Sequence, residues 1–152
     1  MQRFASEGYS HSGVVPTQIF TLDGSGSGQA AILNQDGTVN GPQNPARTGS
    51  IVSLFLTGTG QTSPILREGE VARNIEAKPL SDFRIAIPGR VATLLELLYV
   101  GPGPGLLNSM TQVNVRLPST MPVLPDSTAL SMPIFVEANG RSFYQDARIA
   151  IQ

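Results

Sequence analysis

The sequence has no cysteine, no tryptophan, a single histidine and only 14% charged residues. Without cysteine, disulfides, thiolate nucleophiles and cysteine-based metal sites are excluded. The compartment stays open, because a secreted domain large enough to bury a core can dispense with disulfides. Ten basic residues are scattered among eleven acidic ones for a formal net charge of −1, which is not the footprint of a nucleic-acid binder or a polybasic membrane patch. No apolar run reaches the roughly 20 residues needed to span a bilayer, and Met1–Gly13 lacks the apolar centre of a signal peptide. The expectation is that a leader has been removed or that the sequence is a piece of a longer chain. With three tyrosines, six phenylalanines and no tryptophan, flat rings for stacking on sugars are scarce, which weakens a carbohydrate-binding reading.

What is present is a globular composition, 40% hydrophobic over 152 residues. A chain of that length buries roughly 70% of its unfolded surface around one core. The 16 glycines and 12 prolines stand as punctuation between short apolar runs, with neither a collagen period nor a long linker.

Met1–Gly13 reads as a loose arm. Val14–Leu22 has strand composition, with Pro16 confining its first half to a sheet edge, and Asp23–Gly28 reads as a flexible connector. Gln29–Asn34 and Thr38–Asn40 flank Asp36-Gly37, a hairpin turn signal. Gly41–Gly49 is too rich in breakers for a regular element. In Ser50–Gly58, Val52, Leu54 and Leu56 form one apolar face, and Ile51, Ser53, Phe55 and Thr57 a second that is half apolar. The second face needs cover, for which the N-terminal strand or arm is the expected source.

Gly60–Ser81 is polar and irregular, Phe83–Ile87 alternates, and Pro88-Gly89 marks a turn. Val91, Leu94, Leu95 and Leu98 fall at helical spacing, but the short length and bracketing glycines favour a buried strand over Val91–Val100. Gly101–Gly105 reads as a tight connector leading to one helical turn at Leu106–Ser109. Met110–Leu117 alternates cleanly, with Val113, Val115 and Leu117 inward and Gln112, Asn114 and Arg116 outward. After a proline-interrupted crossover at Met121–Ser127, Leu130–Ala138 and Ser142–Ile151 form a terminal hairpin across Asn139-Gly140. About eight or nine short strands, with turn signals roughly every 8–12 residues, fit an antiparallel sandwich.

The ordered motifs Gly28-Gln29-Ala30-Ala31-Ile32-Leu33-Asn34-Gln35-Asp36-Gly37-Thr38-Val39-Asn40, Asn44-Pro45-Ala46, Gly49–Leu54, Thr57–Pro64, Leu98–Leu106 and Gln112–Pro118 resemble the Solibacter-type uncharacterised C-terminal domain family. The resemblance runs from about Ile19 to the C-terminus. It implies an immunoglobulin-like domain that closes large exported bacterial proteins, and it carries no catalytic residue over. Arg90–Leu97 is longer than the family's pattern, and residues 1–18 fall outside it. The division is therefore an arm or linker over 1–18 and a sandwich domain over 19–152. On this reading Gln112 and Asn114 pin loop backbone, and the Gly-Pro-Gly-Pro-Gly segment lets a connection pass close over the end of the sandwich.

Chemistry-bearing residues are thin. His11 sits between serines in the polar arm and reads as a solvated loop residue. Gly24-Ser25-Gly26-Ser27-Gly28 puts glycine where a nucleophile elbow needs serine, and it matches no phosphate loop. Glu68 and Glu70 could join a loop calcium site, although solvated surface charges are the plainer reading. The sequence thus predicts an all-β, immunoglobulin-like antiparallel β-sandwich with an N-terminal extension. It acts as a non-catalytic structural or interaction module, extracellular or on the cell surface, with no catalytic, cofactor or metal residues. Its expected partners are other protein domains or copies of itself, with no nucleic acid and no membrane insertion. The alternatives are a filament subunit assembled by β-strand addition through Val14–Leu22, a glycan-binding module and a hydrolase.

Overall fold

The computed structural model describes residues 16–67, 69–73, 76–88, 91–121 and 130–152, and every regular element in them is a strand. The Met1–Gly13 arm, Val14 and Val15, the Gly89 half of the expected turn and Pro122–Ser127 of the crossover lie outside these residues. The first half contains β1 (Gln18–Ile19), β2 (Gly28–Gln29), β3 (Ile32–Leu33), β4 (Ile51–Thr57), β5 (Thr62–Ser63), β6 (Lys78–Pro79) and β7 (Phe83–Ile87). The second contains β8 (Thr93–Leu94), β9 (Glu96–Pro102), β10 (Thr111–Arg116), β11 (Leu130–Pro133), β12 (Phe135–Ala138), β13 (Arg141–Phe143) and β14 (Ala147–Ile151).

Two alternating, β-branched segments make the centre of the largest sheet. Antiparallel β4 and β10 run in register from Ile51↔Arg116 to Leu56↔Thr111, which sets Val52 opposite Val115 and Leu54 opposite Val113 on the buried face. A slip of one residue would turn that whole row into water, so alternation fixes the register. β9 flanks β10, while β1 and β3 share the other edge of β4.

The terminal hairpin forms as expected, with β12 and β13 joined at Asn139-Gly140, both of positive φ. It is interrupted halfway. Val136 faces Phe143 and Pro133 faces Arg148, so four residues, 144–147, stand opposite two, 134 and 135. β7 pairs with β12, β8 with β7, and β14 with β11 on one side and, in parallel, with β2 on the other. None of these sheets closes on itself.

Several stretches of chain pass from one sheet to another, among them residues 28–33 and 93–102. β2 pairs with β14 and β3, three residues on, with β4; between them Ala30 bonds Arg148 O and Ala31 bonds Phe20 O. At Leu95, β8 on β7 gives way to β9 on β10, and the buried Leu95 donates its N–H to Ile85 O. Val91–Val100 is therefore extended, as expected, but it is two strands, β8 and the start of β9, on different sheets. It is not the buried strand expected, since most of its residues are exposed or half-buried. Its helical spacing has no helix behind it, since Val91, Leu94 and Leu98 are exposed and Leu95 alone is buried. One continuous cluster takes Leu54 and Val113 from the first sheet, Ile85 and Val136 from the second, and Ile149 and Ile151 from the third.

Three further local expectations are corrected. β1 does not cover the second face of β4: it lies beside β4 in the same sheet, Ile19 opposite Leu56, because its free N–H and C=O groups need an edge partner. Beside it, Gln18 faces Thr57, and buried Thr17 donates its hydroxyl to Gly58 O. Leu106–Ser109 makes two successive turns, Leu106 N–H to Gly103 O and Met110 N–H to Leu107 O, without helix. Gly60–Ser81 is not wholly irregular, since β5 and β6 pair within it.

Candidate functional site

The polar chemistry of the described residues is concentrated where side-chain amides meet backbone. After the hairpin at Asp36-Gly37, in which Asn34 bonds Thr38 O and Gly37 takes φ +81°, the chain turns inward at Asn40. Asn40 is 1% exposed. Its Oδ1 accepts from Ala150 N–H at 2.9 Å and Gln29 Nε2 at 3.1 Å, and its Nδ2 donates to Ala150 O at 2.8 Å and Asn34 Oδ1 at 3.0 Å. All four bonding positions of the amide are filled. The side chain thus binds both backbone groups of Ala150, as a neighbouring strand would.

Gln145 repeats the arrangement across the molecule. Its Oε1 accepts from Ile19 N–H at 2.7 Å, and its Nε2 donates to Ile19 O at 2.7 Å and to Gly26 O at 3.0 Å. The four-against-two interruption of the terminal hairpin is what frees Gln145 to reach β1. Asn139 does the same with mixed groups, donating its backbone N–H to Asp82 O and accepting Asp82 N–H on Oδ1.

The glycine-rich connector, expected to be flexible, is a bonded turn. Asp23 Oδ1 accepts from Ser25 N–H at 3.0 Å, Ser25 Oγ at 2.8 Å and Thr21 Oγ1 at 3.1 Å, while Gly26 N–H donates to Thr21 Oγ1. The Ser25 backbone N–H, followed by the two hydroxyls, holds the Asp23 carboxyl below the usual carboxylate range. Asp36 is lowered in the same way, first by the Thr38 hydroxyl at 2.6 Å and then by the Thr38 N–H.

Beside the Asp36 turn lies an open surface cavity of about 530 Å³, lined among others by Asn34, Gln35, Asp36, Asn44, Arg47 and Ser50. Much of this lining is already engaged: Asn34 Nδ2 donates to Asn44 O, Gln35 Oε1 accepts Ile51 N–H, and Ser50 Oγ donates to Arg47 O. Asn44 Nδ2 is likewise engaged, donating to Thr38 Oγ1 and Val39 O, and Asp36 Oδ1 accepts from the Thr38 hydroxyl and N–H.

His11 and Glu68 lie outside the described residues; Glu70 is exposed, and its carbonyl accepts Asn108 N–H. Among the described residues no three His, Cys, Asp or Glu side chains gather as a metal-binding group. Gln112 and Asn114 bond each other at 2.9 Å, and Ser53 Oγ donates to Asn114 Oδ1 at 2.8 Å. They tie the outer face of β4 and β10, not loop backbone as expected. In the Gly-Pro-Gly-Pro-Gly segment, Gly101 and Pro102 belong to β9, and a Cβ at Gly101 would fall 2.7 Å from the Tyr99 hydroxyl and 2.9 Å from Ala77 O. Burial pushes the Tyr99 phenol up from its ordinary value, and its hydroxyl donates to Pro102 O. Asn40 and Gln145 carry no sequence signal: one ends the expected hairpin segment Thr38–Asn40, and the other sits where unbroken strand was expected.

No protein-family model, curated protein or solved structure matches this chain.

Proposed function

We propose that the chain is a non-catalytic structural or interaction module, an immunoglobulin-like antiparallel sandwich belonging to an exported or cell-surface bacterial protein. The resemblance of its ordered motifs to the Solibacter-type domain family motivates the export and the fold type. The observation that supports the architecture is the continuous apolar cluster fed from three sheets, with β2–β3 and β8–β9 crossing between layers. Strands that switch sheets at a bend are a recognised way of making the corners of two-layer β structures. Such a frame presents its loops at the ends and needs no chemistry of its own.

The deciding experiment labels the full parent protein in its source cells with an antibody against this domain. Labelling of intact cells is expected, and labelling only after lysis would overturn the reading. Turnover of any substrate in a hydrolase panel by the purified chain would equally end the non-catalytic assignment.

A glycan-binding role has one observation in its favour, the polar cavity beside Asp36 with its amides and Arg47. A glycan array probed with wild-type chain and Arg47→Ala would separate it from a purely structural role.

A further inference from the structure

An asparagine or aspartate followed by glycine can close on itself, because glycine has no side chain to keep its backbone nitrogen away from the neighbouring side-chain carbonyl carbon. The chain contains four such pairs, Asp23-Gly24, Asp36-Gly37, Asn40-Gly41 and Asn139-Gly140. In three of them the glycine nitrogen is engaged: Gly24 N–H donates to Thr21 O at 3.1 Å, Gly37 N–H to Asn34 O at 2.9 Å and Gly41 N–H to Asn44 O at 3.3 Å. The side chains of those three pairs are held as well. Both aspartates lie below the usual carboxylate range, Asp23 first through the Ser25 N–H and Asp36 first through the Thr38 hydroxyl, and an ionised carboxylate offers no leaving group. Asn40 is buried with its amide saturated. Asn139-Gly140 differs at each point. Both residues are exposed, and Gly140 N–H makes no hydrogen bond among the described residues. Asn139 Nδ2 is held by a single 3.2 Å bond to Ser81 Oγ, while Oδ1 accepts the Asp82 N–H at 3.1 Å.

We infer that Asn139-Gly140 is a self-modification site, and that its conversion unlatches the β12–β13 turn from the start of β7. The Gly140 nitrogen gives its proton to solvent and attacks Asn139 Cγ. The N–Cγ bond forms, the Cγ–Nδ2 bond breaks, and Nδ2 takes up a proton from solvent and leaves as ammonia. Negative charge gathers on Oδ1 during the attack, where the Asp82 N–H already donates and stabilises it. Water then opens the cyclic imide. Opening at Cγ leaves aspartate, and opening at the main-chain carbonyl of residue 139 leaves isoaspartate, in which the chain runs through Cβ and Cγ. Either product loses the Nδ2 donor to Ser81 and sets a carboxylate beside Asp82. Isoaspartate also adds a backbone carbon to the two-residue turn between Ala138 and Arg141, whose geometry sets the register of the hairpin. The bond from the residue 139 N–H to Asp82 O is then disturbed together with the β12–β13 pairing.

The experiment ages the full-length chain in mildly alkaline buffer, folded and in urea. Peptides containing residues 40 and 139 are followed by mass spectrometry, with aspartate and isoaspartate products separated by chromatography. In the folded chain Asn139 is expected to convert at least about tenfold faster than Asn40, whose reaction must wait for local opening. In urea the two rates are expected to converge. A folded chain whose Asn139 stays intact for as long as urea takes to convert it overturns the site. Equal rates at the two asparagines in the folded chain, or a difference that persists in urea, overturn it too. The converted chain, one charge more negative, is then separated by ion exchange, and its amide exchange is compared with that of the unconverted fraction. Faster exchange at Asp82 and Phe143, with β4 and β10 unchanged, is expected. Unchanged exchange at Asp82 and Phe143 refutes the latch.

Discussion

Residues 28–47 and 60–81 are both polar and rich in turn formers, yet the molecule treats them differently. The first enters the core. Ala30, Ile32 and Ala46 join the main apolar cluster, Ala46 pairs with Ile151, and Asn40 saturates its amide on Ala150 and its neighbours. Among its described residues, the second contributes none to that cluster. It buries Ala72 and Ala77 but leaves Ile65, Val71 and Leu80 exposed, and it is tied down by the short β5–β6 pair and isolated bonds such as Ala72 N–H to Leu106 O. Nearby, buried Asn108 Oδ1 finds no hydrogen-bond donor among the described residues, though its Nδ2 reaches Arg67 O. Polar composition therefore does not decide whether a segment is interior; bond saturation does, because a buried amide is tolerated only when its bonds are filled.

The largest test removes the base the two segments share. Leu54 is fully buried, and Leu54→Asp places a charge in the apolar centre, so cooperative unfolding should disappear and both segments should lose amide protection together. A soluble variant with a sharp melting transition would show the core to be misassigned.

Asn40→Ala should separate the segments. It leaves the buried Ala150 N–H without its partner, at about 1–3 kcal/mol, while Ala150 O keeps the Ala46 N–H. Hydrogen exchange is expected to speed up along 28–47 and β14 while 60–81 keeps its wild-type rates. Uniform acceleration would mean that the stitch is not local.

Acid should act on the first segment next. Asp36 has a folded pKa below its ordinary value of 3.8 because of the Thr38 hydroxyl and N–H. Its contribution is therefore present above the unfolded value and is lost as pH falls through the lower folded one. Amide shifts at 34–38 should titrate in that window, and a titration at or above 3.8 would contradict the bonded turn. The smallest effect belongs to the second segment: Ile65 is 82% exposed, so Ile65→Ser should change the unfolding free energy by less than about 0.5 kcal/mol. A larger loss would reveal a packing role for that loop.

The strands were legible wherever one physical signal dominated. Period-two hydrophobicity located β4, β7 and β10, because a one-sided strand must alternate, and Asp-Gly and Asn-Gly located both hairpins, because positive φ favours those residues. Alternation gives a face but not a neighbour, so it could not say that β1 sits beside β4 instead of over it. The candidate site was hardly legible at all. Asn40 and Gln145 act on Ala150 and Ile19, 110 and 126 residues away in sequence, and no local pattern marks an amide that will meet a distant backbone.

By itself, then, the amino-acid order determined an all-β chain, the inward rows of its main strands and the turns between them, since each depends on residues a few positions apart. Only the tertiary structure decided that the chain passes between sheets at Ala30 and Leu95, and which amides take the place of missing strands. Those outcomes depend on which backbone groups are left unpaired once the sheets have met, and that is a property of the assembled molecule.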